Sequence, residues 1–117
     1  MSAVGPSSSL VPRKVIQEIA DLIARHFHPE RIILFGSYAR GEPSARSDVD
    51  LMVVMRNPPP RPRRVAPIFR LIHQYFDVPV DDVVRSPEGM ALWAESPYSL
   101  SHQVLKEGVM LYENTAG

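Results

Sequence analysis

Apolar residues return at helical spacing in the first part of the chain. Val15, Ile16, Ile19, Leu22, Ile23 and Phe27 fall on one stripe, which predicts an amphipathic helix over about Val11 to Phe27. Pro12 suits its first turn, where a missing N–H costs nothing, and His28-Pro29 stops it. The pattern then tightens. Arg31-Ile32-Ile33-Leu34-Phe35 is a β-branched run cut off by Gly36, the mark of a buried strand. From Ser37 to Ser47 the chain is small and polar, with Gly41 and Pro43 as turn formers. Val49 to Met55 predicts a second strand, with Val49, Leu51 and Val53 on one face and Asp50, Met52 and Val54 on the other.

Four prolines and four arginines crowd Arg56 to Arg64, so a loop with polyproline character is expected there. A second helix is expected from near Pro67, carrying Ile68, Leu71, Ile72, Tyr75 and Phe76. Val78 to Val84 reads as a third strand holding Asp81 and Asp82. Ser86-Pro87-Glu88 opens a short helix to about Glu95, Pro97 interrupts, and Ser99 to Glu107 forms a last helix stopped by Gly108. A short apolar run, Val109 to Tyr112, precedes the end. The predicted order is α-β-β-α-β-α-α, an α/β fold in which a small mixed sheet carries helices packed on one face. Residues 1–9 are expected as a disordered tail, 10–113 as one domain and 114–117 as a frayed C-terminus.

Composition bounds the possibilities without choosing among them. A chain of 117 residues has room for one core. Lys+Arg and Asp+Glu both number 13, so no net basic field points to nucleic acid, and direct nucleic-acid binding is not expected. The absence of cysteine excludes disulfides and thiolate metal sites. No apolar run approaches the ~18 residues needed to cross a bilayer. The Ser-rich start also lacks the pattern of a signal peptide. A soluble cytoplasmic protein is expected.

Three features carry chemistry. Gly36-Ser37 follows a strand directly, so the backbone can turn sharply, its N–H groups can face an anion, and the Ser37 hydroxyl can donate to a phosphate oxygen. Asp48-Val49-Asp50 places two carboxylates on one face of a strand, roughly 6.5–7 Å apart at Cα. Such a pair repels itself unless a cation sits between, and magnesium suits hard oxygen donors of this kind. The third feature is Asp81 or Asp82 within the apolar run Val80 to Val84, where aspartate is out of place in a strand. One of the two would face solvent at an edge, and the other would complete a carboxylate trio able to hold two metal ions for displacement at phosphorus. The four histidines show no metal-ligand spacing, and Trp93 with Tyr98 is expected to pack in the core.

Leu34-Phe35-Gly36-Ser37-Tyr38-Ala39-Arg40-Gly41, followed after ten residues beyond Ser37 by Asp48-Val49-Asp50-Leu51, resembles the signature of the DNA polymerase β nucleotidyltransferase superfamily. The length resembles that of its minimal members, and the likeness extends from about Ile16 to Glu113. The resemblance implies a palm-like fold and assigns roles. Gly36 and Ser37 would hold the terminal phosphates of ATP, with Arg40 and Ser47 as further contacts. Asp48 and Asp50 would bind Mg2+, and Asp81 would be the third carboxylate, helping to deprotonate the acceptor hydroxyl. Asp82 stands where the family is usually apolar, and the Arg56 to Arg64 loop is longer than in many relatives.

Minimal members of this group resemble the antitoxin half of toxin–antitoxin modules, which implies a HEPN-domain toxin as partner and transfer of AMP to one of its hydroxyls, a tyrosine being favoured. No second lobe is expected to hold the acceptor, so Leu71, Tyr75, Trp93 and Tyr98 are candidates for docking the partner in a homo- or hetero-oligomer. Two alternatives stand beside this: a weakly catalytic binding module that neutralises the partner by docking, and a transferase acting on a small molecule.

Overall fold

The structure, a computed structural model, describes residues 10–44, 46–60 and 63–114, apart from the Trp93 side chain. The expected tail at 1–9 and all but Asn114 of the expected frayed end lie outside the described residues. Nine elements follow one another: α1 (Arg13–Phe27), β1 (Arg31–Phe35), α2 (Gly36–Arg40), β2 (Val49–Val54), α3 (Ala66–Tyr75), β3 (Val80–Arg85), α4 (Pro87–Trp93), α5 (Leu100–Glu107) and β4 (Val109–Glu113). The strands form one sheet in the order β3-β2-β1-β4. β1 pairs antiparallel with β2 and β4, and β2 pairs parallel with β3, so the sheet is mixed.

The two central strands are apolar on both faces, and this decides where the helices go. Ile32 and Leu34 of β1, with Val49, Leu51 and Val53 of β2, meet Ile16, Ile19, Ala20 and Ile23 of α1 and Ile68 and Ile72 of α3. The opposite face carries Ile33 and Phe35 of β1 and Met52 and Val54 of β2, which pack on Met90 of α4 and Val104 of α5. The expectation of helices on one face alone is therefore corrected: α1 and α3 cover one side, and α4 and α5 cover the other. A sheet whose inner strands are apolar on both sides must be covered twice. Each buried Ile, Leu, Val or Met contributes about 1.5–3 kcal/mol relative to exposure, so leaving one face bare would forfeit several such terms.

Two further elements differ from the expectation. The polar stretch after β1 opens as the five-residue helix α2. The last apolar run is a true strand: β4 completes the sheet beside β1, with a shift in register between Ile32 and Ile33. Its end is fastened, since the Asn114 N–H donates to Glu30 O at 2.9 Å. The helix starts read from Ser86 and Ser99 are N-caps in the structure. Ser86 Oγ accepts from Gly89 N at 2.9 Å, and Ser99 Oγ accepts from His102 N at 3.0 Å. Among the described residues, no helix is long and apolar enough to cross a membrane.

Candidate active site

The site is built where β1 ends and β2 begins. Gly36 leaves β1 with a φ of +75° and becomes the first residue of α2. Only glycine adopts this conformation without strain. A second constraint acts on the same atom position, because a Cβ there would collide with Asp50 Oδ2. Gly36 thus lets the backbone of α2 approach the carboxylate of Asp50 directly. Phe35 lies opposite Asp50 in the β1–β2 pairing. Phe35 at the N-cap of α2 gives the first turn no side-chain hydrogen bond, and the leading N–H groups of a helix have no partner within it.

The parallel pairing of β2 with β3 sets Asp81, and not Asp82, beside Asp50. Asp50 stands opposite Asp81, and Leu51 stands opposite Asp82. Partners in a parallel ladder share a face, so Asp81 joins Asp50 on the side of α2, α4 and α5. Asp82 turns the other way. It is 3% exposed, lies on the α1–α3 side between the core residues Val80 and Val84, and neither of its carboxylate oxygens has a hydrogen-bond partner. The expected alternation holds, but the expectation that one of the pair faces solvent fits Asp81, which is exposed, and not Asp82.

The electrostatics of the trio are those of a site short of positive charge. Burial, then the neighbouring Asp81 and Asp48, push the Asp50 carboxyl up from 3.8 to about 6, while Arg40 pulls it back. Asp48 precedes β2 and is exposed. Among the described residues no three His, Cys, Asp or Glu side chains form a ready-made metal cage. The donor set still fits magnesium. That ion takes hard oxygens, uses one or two protein carboxylates and fills the rest of its shell with water and phosphate.

The remaining predicted contacts are placed as follows. Arg40 ends α2 and its Nη1 donates to Glu107 Oε1 at 3.0 Å, with Glu42 Oε1 3.6 Å from Nε. Ser47 acts locally. Its Oγ accepts from Ser44 N at 2.9 Å and lies 3.3 Å from Ser44 Oγ, holding the turn that leads into Asp48. Tyr38, within the same signature, points into the core and its hydroxyl accepts from Val11 N at 3.1 Å, tying α2 to the start of α1. Glu107, which opens the ending Glu107 to Glu113 of the stretch that carries the family likeness, is a site neighbour to which the sequence assigns no role. An acid 67 positions from Arg40 leaves no local signal, and only the docking of α5 beside α2 brings them together.

The residues named for docking do not form one patch. Tyr75 is 63% exposed at the end of α3, on one side of the sheet, while Tyr98 is 96% exposed in the α4–α5 connection on the other. Leu71 is half-buried, and the Trp93 side chain lies outside the described residues. Tyr98 is therefore not the core residue expected, because the turn before α5 carries it into solvent.

Comparison with known proteins bears on the family and the fold. Residues 17–116 match the family described as "Polymerase beta, Nucleotidyltransferase". A stretch of 47 residues is 40% identical to "Putative protein adenylyltransferase MJ1379" of Methanocaldococcus jannaschii, covering 34% of this chain and 47% of that protein. The match thus spans about half the length of that relative. The fold is similar to that of "a putative nucleotidyltransferase from Sulfolobus solfataricus", with a TM-score of 0.59 and 22% identity over 100% of this chain and 96% of that one. It is also similar to a "toxin-antitoxin with AMP-PNP", with a TM-score of 0.56 and 24% identity over 91% of this chain and 76% of that one. At such identities the two structures attest the fold. The family match covers most of the sequence, and the chain belongs to the polymerase β nucleotidyltransferase family.

Proposed function

We propose that the chain is a nucleotidyltransferase that moves AMP from ATP to a hydroxyl of a protein partner. The observation that carries this reading is the register that sets Asp81 beside Asp50, next to Asp48 and under the Gly36 turn. Three acidic side chains gathered against one open backbone turn cost stability without a cation, and a purely structural surface has no use for them.

Gly36 and Ser37 receive the terminal phosphates through backbone N–H groups and the Ser37 hydroxyl. Arg40 lies within reach of the same charge. Asp48, Asp50 and Asp81 would hold Mg2+, which when bound neutralises the triphosphate and stabilises the attacking and leaving oxygens. Asp81 takes the proton of the acceptor hydroxyl as that oxygen bonds to the α-phosphorus. The α–β phosphoanhydride bond breaks, and pyrophosphate leaves with the electron pair. The chain's own contribution is placement, which dominates phosphoryl transfer.

The acceptor reading rests on relatives. A similar archaeal protein bears an adenylyltransferase name, and a similar fold occurs in a toxin–antitoxin structure with AMP-PNP. On this basis the chain acts as the antitoxin toward an all-helical HEPN-type toxin, modifying one of its tyrosines, in the cytoplasm. Co-expression with the product of the adjacent gene, followed by intact mass measurement, tests it. A mass gain of whole AMP units on the partner is expected. A stable complex with no mass gain under ATP and magnesium would instead identify a docking module.

A further inference from the structure

Arg40 is held from two sides by acids that belong to neither the phosphate turn nor the carboxylate trio. Nη1 donates to Glu107 Oε1 at 3.0 Å, and Nε stands 3.6 Å from Glu42 Oε1. The same Glu107 Oε1 accepts from Gln103 Nε2 at 3.1 Å, one turn earlier on α5, so the acid is itself fixed. Glu107 is the last residue of α5, at 26% side-chain exposure, while Arg40 keeps 41%. Among the described residues, the second amino group of the guanidinium, Nη2, has no partner. The charge of Arg40 is nevertheless felt at Asp50.

We propose that Glu107 is a positioning residue for nucleotide binding: by holding one edge of the Arg40 guanidinium, it keeps the free edge aimed at the triphosphate and off the carboxylate trio. This deepens the nucleotidyltransferase reading and rests on it. A free arginine has a long flexible stem, and ordering it in advance lowers what must be ordered when ligand binds. An unrestrained Arg40 could also turn to Asp50, whose carboxyl its charge already pulls down. Collapse of the guanidinium onto that carboxyl would fill the place a divalent cation needs. Glu107 and Glu42 offer it partners outside the trio. The pair is partly exposed and so weakly coupled, which leaves Arg40 able to follow the phosphates when they arrive.

The test uses the full chain, with a non-hydrolysable ATP analogue and magnesium titrated by calorimetry, and KM and kcat measured for transfer. Glu107→Ala is expected to weaken analogue binding and raise KM by about fivefold while kcat stays within about twofold, because the residue acts on binding and not on the reacting atoms. Glu107→Gln keeps an acceptor for Nη1 and should retain most of the affinity. Glu107→Lys keeps the stem, repels Arg40 and should match or exceed the loss, which covers the case of an unfolded alanine variant. Arg40→Ala with Glu107→Ala should be no worse than Arg40→Ala alone, since without the arginine the acid has nothing to hold. Additive losses, or unchanged binding in both Glu107→Ala and Glu107→Lys, would overturn the proposal and leave the nucleotide site intact. Failure of the wild-type chain to bind the analogue at all would remove both.

Discussion

The carboxylate of Asp50 occupies the space that a β-carbon on residue 36 would need. The contact joins the two halves of the signature, the phosphate turn and the acidic strand, through an absent side chain. Gly36→Ala must both strain a φ of +75° and displace Asp50. We expect a loss of about 1–3 kcal/mol in unfolding free energy. Analogue binding should fall by more than that stability loss explains. Thermal unfolding alongside calorimetry checks this, and an alanine variant that binds normally would show that the turn is not the phosphate site.

Asp50→Asn and Asp48→Asn should separate chemistry from folding. Both are expected to abolish nucleotide transfer with the fold retained. In chelator, Asp50→Asn should be more stable than the parent, because the cost of burying the charge and then the repulsion from Asp81 and Asp48 disappear. Circular dichroism melts in EDTA, set beside a transfer assay, read both effects, and a less stable Asp50→Asn would deny the charge shortage.

Asp81 and Asp82 are neighbours that face opposite sides of the sheet. Asp81→Ala should lose transfer, whereas Asp82→Leu should keep it and gain stability. Asp82 lies 3% exposed with both oxygens unpaired, facing Leu51 across the ladder. Replacing an uncompensated buried charge by an apolar side chain of similar size is expected to stabilise by about 1–3 kcal/mol at neutral pH. Denaturant midpoints and transfer rates of the two variants test the register, and the reverse pattern would place the third strand one residue out of step.

The pH dependence follows from Asp50 and Asp82 together. Both are raised by burial from 3.8 to about 6 in the folded chain. Between those values the folded state binds more protons than the unfolded state, so stability falls as pH rises through this window and is fully present below it. Melting temperature in chelator should therefore decline from about pH 4 to pH 6, a range set by these values. Asp82→Leu should flatten part of the decline. Magnesium should raise the melting temperature at pH 7 and have little effect at pH 4, where Asp50 carries its proton.

Much of the fold and of the placement of the candidate site residues is legible in the sequence, and the gaps have physical causes. The face alternation of Val49 to Val54 and the caps at Ser86 and Ser99 depend on local geometry, which spacing records. The strand from Val109 is not legible in this way, because its pairing partner, β1, lies some eighty positions earlier and no local pattern encodes that distance. The second layer of helices escapes for a related reason: an apolar run such as Ile32-Ile33-Leu34-Phe35 shows that a strand is buried on both faces, but not what covers each. Arg40 can be named from its motif, and Glu107 lies in the stretch that carries the family likeness, but the contact between them exists only through the docking of α5.

One measurement bears most directly on the central claim. The co-purified chain and its partner, incubated with magnesium and ATP labelled at the α-phosphate, should yield label and a mass gain of whole AMP units on the partner. Transfer should vanish when Asp48 and Asp50 are both replaced by asparagine. An Asp48→Asn/Asp50→Asn chain that labels the partner at the wild-type rate would contradict the assignment of these carboxylates to catalysis.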